Sequence, residues 1–181
     1  MTADVVLLAR AADFAARRHS AQRRKGETAE PYINHLTEVA ALLAEATGGD
    51  DVVLLMGGLL HDTLEDTDTT YEDLVDRFGP EVAALVAEVT DDKSLRKEER
   101  KRLQIEKTPG KSRRAKLLKL AGKTSNLRSL AQSAPKGWTE ERLRDYVQWA
   151  EAVVHSCRGL NERLEAGFDV AYREAKARFG A

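Results

Sequence analysis

Apolar residues recur at helical spacing along nearly the whole chain, and this pattern constrains the fold more than any other feature. No stretch of useful length alternates between apolar and polar residues, as a half-buried strand would. We therefore predict an all-α fold of eight or nine helices. The second predicted helix, which begins near Tyr32, shows the pattern most clearly, with one apolar stripe made of Ile33, Leu36, Val39, Ala40 and Leu43.

Local signals predict where several helices begin and end. Thr70 and Asp73 have the spacing of a capping box, and Pro80 suits the first position of the following helix. The segment VVLLMGGLLHD follows a cap at Asp50 or Asp51 and is apolar on nearly every side. A helix of this kind is expected to be central and buried.

Length and cysteine content limit the class of protein. The 181 residues fit a single domain, 1–181, and the lone Cys157 excludes a disulfide framework or a cysteine-based zinc site. One free cysteine also favours a reducing compartment. The apolar run from Val5 to Ala9 is too short for a signal peptide or a membrane span. We expect a soluble, cytoplasmic protein with no membrane partner.

Charge is distributed unevenly along the chain. Residues 50–92 contain 13 acidic residues and one basic residue, whereas residues 93–123 contain 13 basic residues and three glutamates. The basic stretch is compatible with binding phosphates, on nucleic acid or on a smaller anion, and equally with a solvated helix face. It contains no aromatic residue on which a base would stack. We therefore expect no nucleic-acid partner.

His61 and Asp62 end the apolar third segment, where a carboxylate is costly unless a partner such as a metal ion compensates it. His35 borders the apolar stripe of the second helix and adds a further nitrogen donor. This mixed set suits a first-row divalent ion such as manganese, iron or zinc. In continued helical register, Glu65 and Asp66 share a face with Asp62, although a solvated turn is an equally good interpretation.

Longer stretches, from about residue 11 to residue 159, are similar to one family. They resemble the small alarmone hydrolases of the RelA/SpoT-homologue family, of the metazoan SpoT-homologue type, within the HD phosphohydrolase superfamily. The resemblance implies a 3′-pyrophosphohydrolase with one Mn²⁺ per chain, acting on guanosine tetra- and pentaphosphate, (p)ppGpp. The stretches that carry it are RRKG, PYINH, LLHDTLEDTDTT, FGPEV, VTDDKSLRKEERKRLQIE, AKLLKLA, NLRSL and GWTEERLRDYVQWA.

The resemblance also implies roles for individual side chains near the metal. His35, His61 and Asp62 match three of the metal ligands of the family. Glu65 and Asp66 match the acidic pair that is taken as catalytic, one orienting or deprotonating a water and the other assisting the leaving group.

Substrate contacts are implied in two places. Arg24 and Lys25 match the substrate-contacting loop before PYINH, and Asn126 matches a contact on the nucleotide side. Arg142 and Tyr146 lie four residues apart on one predicted helix, where they offer a phosphate donor and a stacking ring. An ordinary exposed helix face explains this last pair equally well.

One position departs from the family. Its fourth metal ligand is the aspartate of a LAD-K motif, but this chain has KLAGK, with Gly122 in that place. A glycine within a helix costs about 1 kcal/mol relative to alanine. Three explanations stay open: an introduced substitution, a natural three-ligand site, or a natural pseudoenzyme that binds nucleotide without cleaving it. In each case we expect substantially weakened metal binding.

Two alternatives to (p)ppGpp hydrolysis also stay open. One is an HD-type hydrolase of another nucleotide, such as an adenosine alarmone or a dinucleotide phosphate. The other is a catalytically inactive, alarmone-binding regulatory protein. The expected partner in each case is a small nucleotide, and the oligomeric state is left open.

Overall fold

The computed structural model describes the backbone of residues 2–180 and the side chains of residues 4–180. Within this part of the chain there is no β-strand, and nine α-helices have eight or more residues. A tenth, α4, is a single turn. The predicted all-α fold is confirmed. The helices are α1 (Thr2–Arg18), α2 (Ile33–Thr47), α3 (Val52–Leu60), α4 (Thr63–Asp66), α5 (Tyr71–Phe78), α6 (Pro80–Val89), α7 (Lys97–Lys107), α8 (Arg113–Gln132), α9 (Glu140–Val154) and α10 (Glu162–Phe179), with 3₁₀ turns at Thr108–Gly110 and His155–Cys157.

The predicted helix ends are confirmed where side chains cap the backbone. The Asp51 carboxylate accepts the N–H of Leu54 at 3.1 Å and so begins α3. Thr70 and Asp73 form the reciprocal capping box at the start of α5. Pro80 is the first residue of α6, where its missing N–H costs nothing. These contacts fix the helix ends near the site through local chemistry alone.

Helix α3 is buried along most of its length, as predicted, and α2 packs closely against it. All residues from Leu54 to Leu60 are buried. The backbones approach so closely that a Cβ atom on Gly58 would lie 3.0 Å from the Cα of Ala40. This close packing brings the ring of His35, on α2, to 5.2 Å from the ring of His61, which follows α3.

Helices α2 and α3 each contribute to two hydrophobic clusters. In one cluster they pack mainly with α8, α9 and α10, together with Leu85 of α6, and in the other with α1, α5 and α6. Helix α2, which carries His35, and helix α3, which leads into His61, therefore lie between the two halves of the core. No helix in the described part of the chain is both long and apolar enough to span a membrane.

The loop between α1 and α2 is held against the segment that follows α8. Isolated backbone bridges join Arg23 to Pro31 within the loop and Gly26 to Pro135 beyond α8. The approach is tight at Gly26, where a Cβ atom would lie 2.6 Å from the carbonyl oxygen of Ser133. Only a residue without a side chain allows the loop to lie so close to this segment.

Candidate metal centre

Three of the predicted ligands converge at the junction of α2 and α3. The Nε2 atom of His61 lies 3.2 Å from Oδ2 of Asp62, and that of His35 lies 3.7 Å from the same oxygen. One donor atom from each residue lies within 4.8 Å of the others. Two imidazole nitrogens and one carboxylate oxygen form a donor set that fits a first-row divalent ion.

Both histidines use their other ring nitrogen in a hydrogen bond. Nδ1 of His61 lies 2.9 Å from the carbonyl oxygen of Gly58, so this nitrogen carries the proton. Nδ1 of His35 lies 2.8 Å from the hydroxyl oxygen of Ser125. In each ring Nε2 is left to face Asp62, as in metal sites where the ligand is oriented from behind.

The surroundings set the charge of each group. Burial opposes the ionisation of Asp62, but His61, His35 and the Tyr32 hydroxyl outweigh it and hold the pKa of Asp62 well below its usual range. Tyr32 donates its hydroxyl to Oδ2 of Asp62 at 2.7 Å. Burial, with repulsion from His61, lowers the pKa of His35 well below its usual value. An anionic Asp62 and a neutral His35 are the forms that bind metal.

Gly122 lines the same cavity of about 130 Å³ as His35, His61 and Asp62, and we call it the metal cavity. A Cβ atom built on Gly122 would meet nothing within 4 Å, so the cavity has room for a side chain at this position. The position that departs from the family sequence is thus next to the three potential ligands.

The two carboxylates predicted to be catalytic have different surroundings. Glu65 lines the cavity and accepts the N–H of Asp91 at 3.3 Å. Burial and nearby carboxylates raise the pKa of Glu65. Asp66 is absent from that lining and pairs instead with Lys93. The expected helical register from Asp62 to Asp66 is present, since the N–H of Asp66 donates to the backbone oxygen of Asp62 at 2.8 Å, but the carboxylate of Asp66 is engaged by Lys93.

A second cavity, of about 260 Å³, adjoins the first and shares Tyr32 and Asn126 with it; we call it the outer cavity. Trp138 lines the outer cavity, whereas Arg142 does not. The guanidinium carbon of Arg142 lies 4.2 Å from the ring centroid of Trp138. Four residues predicted to contact substrate line the outer cavity together: Arg24, Lys25, Asn126 and Tyr146.

Several residues of these cavities were not singled out from the sequence. Tyr32 and Trp138 stand within the quoted PYINH and GWTEERLRDYVQWA stretches, where a role for each was available but not assigned. Lys119 and Lys123 lie one turn apart on α8, are buried and line the metal cavity. Burial lowers the pKa of both ammonium groups. In a basic stretch such lysines are indistinguishable from exposed ones.

Comparison with known proteins covers the part of the chain that carries these residues. The HD domain family matches residues 11–150. A guanosine-3′,5′-bis(diphosphate) 3′-pyrophosphohydrolase, MESH1 of Xenopus tropicalis, is 50% identical over 93% of this chain and 94% of its own length. The human protein of the same name is 48% identical over 96% of this chain and 97% of its own length.

A solved structure is similar over most of the chain. It is described as a metazoan orthologue of SpoT that hydrolyses ppGpp and plays a role in starvation responses. It superposes with a TM-score of 0.88 at 48% identity, covering 92% of this chain and 94% of that chain. The similarity therefore extends over most of both chains.

Proposed function

The chain belongs to the HD domain family, among the small alarmone hydrolases, and from this premise we propose that it hydrolyses the 3′-diphosphate of guanosine tetra- or pentaphosphate. The products are pyrophosphate and GDP or GTP. One observation carries the proposal: the convergent His35, His61 and Asp62 line a cavity that adjoins the outer cavity, whose lining is suited to a phosphorylated nucleoside. Two relatives that are 48% and 50% identical in sequence are named as enzymes with this activity.

The outer cavity supports an anionic, aromatic ligand. Three consecutive cationic residues, 23–25, line it, and the described residues of its lining include no carboxylate. Tyr146 and Trp138 add ring surfaces, their centroids 5.7 Å apart. We place the guanosine and its 5′-phosphates in the outer cavity. The 3′-diphosphate then extends past Asn126, which both cavities share, toward Asp62.

His35, His61 and Asp62 would hold the metal ion, and we propose Mn²⁺, which the nitrogen and oxygen donors suit. Such an ion, when bound, lowers the pKa of a water molecule and offsets charge on the phosphate. Tyr32 keeps one oxygen of Asp62 oriented through its 2.7 Å hydrogen bond.

Glu65 is the residue that we assign to the proton of the attacking water. It lines the metal cavity, and its raised pKa brings its affinity for a proton closer to the working pH. Arg100 donates to it at 3.4 Å and limits its rotation. Asp66 stays in the proposal as the second carboxylate, which assists the leaving pyrophosphate. Glu65→Gln is therefore expected to lose more activity than Asp66→Asn.

Gly122 sets the expected level of activity. With three protein ligands the site binds Mn²⁺ weakly, and we expect slow turnover in the native chain. The test is pyrophosphate release from guanosine tetraphosphate with Mn²⁺, comparing the native chain with Gly122→Asp and with Gly122→Ala. The aspartate is expected to raise the rate strongly, whereas alanine fills similar space without offering a ligand and should not.

Two outcomes would replace this function with an alternative. If neither the native chain nor Gly122→Asp releases pyrophosphate although both bind the nucleotide, the protein is an alarmone-binding regulator. If Gly122→Asp hydrolyses an adenosine alarmone or a dinucleotide phosphate faster than the guanosine compound, the substrate class changes while the site remains. Both comparisons use the same protein preparations.

A further inference from the structure

A hydrogen-bonded chain behind His35 leads away from the metal centre. Ser125 donates its hydroxyl to Oε2 of Glu38 at 2.6 Å, and its oxygen lies 2.8 Å from Nδ1 of His35. Arg128 holds the other oxygen of Glu38 at 3.2 Å. His35 and Glu38 stand three residues apart on α2, as Ser125 and Arg128 do on α8. The chain therefore connects two helices that pack face to face.

The direction of each hydrogen bond follows from the chemistry of the groups. A carboxylate only accepts, so the single hydroxyl proton of Ser125 belongs to the bond with Glu38. The Ser125 oxygen then has only lone pairs left, and it also accepts from Arg24 at 3.2 Å. Nδ1 of His35 must therefore be the donor, and its Nε2 carries the lone pair that faces Asp62.

We propose that Glu38 and Ser125 are positioning residues that fix His35 in the Nδ1–H form and so present its Nε2 to the metal. The proposal deepens the proposed function and rests on the assignment of His35 as a ligand. Hydrogen bonds behind a metal-binding histidine commonly contribute 10–100-fold to metal affinity. Ser125 is fully buried, so water cannot replace it without rearrangement.

His61, the other histidine of the site, also has its Nδ1 held by a hydrogen bond, but the acceptor is a backbone group. Nδ1 of His61 donates to the backbone carbonyl of Gly58, which no side-chain substitution removes. His35 depends on two side chains for the equivalent contact. His61 therefore serves as an internal reference in any experiment that changes Glu38 or Ser125.

Glu38→Gln gives the sharpest test, because it should reverse the direction of the hydrogen bonds that run through Ser125. Arg128 holds the carbonyl oxygen of the new amide, which turns the amide N–H group toward Ser125. The hydroxyl then accepts from the amide and donates to Nδ1 of His35, so that the ring proton moves to Nε2. Ser125→Ala removes the hydrogen bonds between Glu38, Ser125 and His35 without reversing their direction.

The first readout needs no metal and no substrate. Long-range ¹H–¹⁵N correlation spectra of the metal-free protein report which ring nitrogen of each histidine is protonated. We expect Nδ1–H at His35 in the native chain, Nε2–H in Glu38→Gln, and an unchanged His61 in both. The matched control is Glu45→Gln, on the same helix, which removes an exposed ion pair with Arg163 far from the site. An unaltered His35 spectrum in Glu38→Gln and in Ser125→Ala overturns the proposal.

The second readout is Mn²⁺ affinity by calorimetry, measured in the native chain and in the Gly122→Asp background. Glu38→Gln and Ser125→Ala should each weaken binding at least tenfold, while Glu45→Gln should not. Equal affinities overturn the proposal, and so does the absence of Mn²⁺ binding in both backgrounds. If the tautomer and the affinity change as expected but guanosine tetraphosphate is not hydrolysed, the positioning role stands and the proposed substrate fails.

Discussion

Lys123 keeps its ammonium group inside the protein, next to the metal cavity. The nitrogen lies 3.1 Å from the side-chain oxygen of Gln104 and 3.8 Å from the ring centroid of Trp149. Burial, with repulsion from Lys119, lowers the pKa of Lys123 to about 7. The amide and the aromatic ring thus compensate the charge only in part. A cost of this kind is accepted where a cation serves a site, such as one that binds phosphates.

Replacing Lys123 with methionine should change how stability depends on pH. The pKa of Lys123 is lower in the folded state than in the unfolded chain. The buried charge therefore destabilises the folded state fully below pH 7, and this destabilisation disappears as the pH rises toward 10.5. The unfolding free energy of the native, metal-free protein should therefore gain up to about 1.4 kcal/mol per pH unit from this group. Urea unfolding at pH 7.5 and 9.5 measures the gain, which Lys123→Met should lack.

The control for this experiment is Lys136→Met, at an exposed position outside the helices. It removes the same charge from the surface, and its pH dependence should follow that of the native chain. Identical pH dependence in Lys123→Met and the native chain would contradict a buried, charge-sensitive ammonium group.

At the level of the helices, Gly58 determines how closely α2 approaches α3. Glycine to alanine within a helix ordinarily stabilises by about 1 kcal/mol. At Gly58, however, the added Cβ would lie 3.0 Å from the Cα of Ala40 and 3.1 Å from the side chain of Leu43. Backbone atoms cannot turn aside, so α2 has to move. We expect Gly58→Ala to lower the unfolding free energy by about 1–3 kcal/mol, measured in urea.

The same substitution should also weaken Mn²⁺ binding, because α2 carries His35 and α3 leads into His61. Calorimetric titration of Gly58→Ala tests this expectation. An alanine that stabilises the protein and leaves Mn²⁺ affinity unchanged would show that the two helices adapt without cost.

Gly122→Ala provides the opposite expectation on α8. The new Cβ meets nothing within 4 Å, so only the gain in helix propensity remains. We expect the unfolding free energy in urea to rise by about 1 kcal/mol while Mn²⁺ affinity stays the same. Tighter Mn²⁺ binding by the alanine variant would mean that Gly122 weakens the site by helix flexibility and not by the lack of a ligand.

Helix ends could be predicted because they depend on contacts within a few residues. The capping box at Thr70 and Asp73 and the proline at the start of α6 are examples. The contact between His35 and Ser125 spans 90 positions of the chain. It exists only because α2 packs against α8, and no local pattern encodes that packing.

The candidate site, like the fold, was predictable in part. His35, His61 and Asp62 stand in recognisable sequence stretches, and the structure brings them together. Asp66 has the predicted helical register with Asp62, but its ion pair with Lys93 joins residues 27 positions apart and was not predictable from a local pattern. Lys119 and Lys123 were missed because charge in a sequence does not reveal burial. Periodicity therefore predicts helices better than it predicts which charged side chains are buried or which distant residue each one contacts.

For the molecule as a whole, several cations in the basic stretch of residues 93–123 are buried or paired and so do not add to a cationic surface. Lys119 and Lys123 are buried. Arg102 pairs with glutamates on its own helix, and Arg114 pairs with Asp51 at 2.8 Å. Charges that are buried or paired add little to the attraction of a polyanion.

We therefore expect this protein to bind single-stranded and duplex oligonucleotides no more tightly than a Kd of about 10⁻⁴ M at physiological salt, the weak end of non-specific binding. Fluorescence anisotropy with labelled oligonucleotides at several salt concentrations measures it. A complex with an oligonucleotide that has a micromolar Kd and a steep salt dependence would contradict the expectation and would support a function in nucleic-acid binding.

Metal binding should stabilise the entire molecule and not only the site. The ligands come from α2 and from the turn after α3, and these two helices pack in both hydrophobic clusters. Local loss of either helix would therefore expose core on both sides, so unfolding and metal release are expected to occur together. An ion that binds only the folded chain adds about 2.7 kcal/mol when its concentration is 100 times its Kd.

For a chain of this length, that gain corresponds to a rise in Tm of about 5–10 °C. Thermal unfolding with increasing Mn²⁺ should show one transition that moves upward and returns when a chelator is added. At equal Mn²⁺ the rise should be larger for Gly122→Asp than for the native chain or Gly122→Ala, because only the aspartate adds an anionic ligand. If millimolar Mn²⁺ leaves the Tm of Gly122→Asp unchanged, the junction of α2 and α3 does not hold the ion, and the glycine cannot be what limits the site.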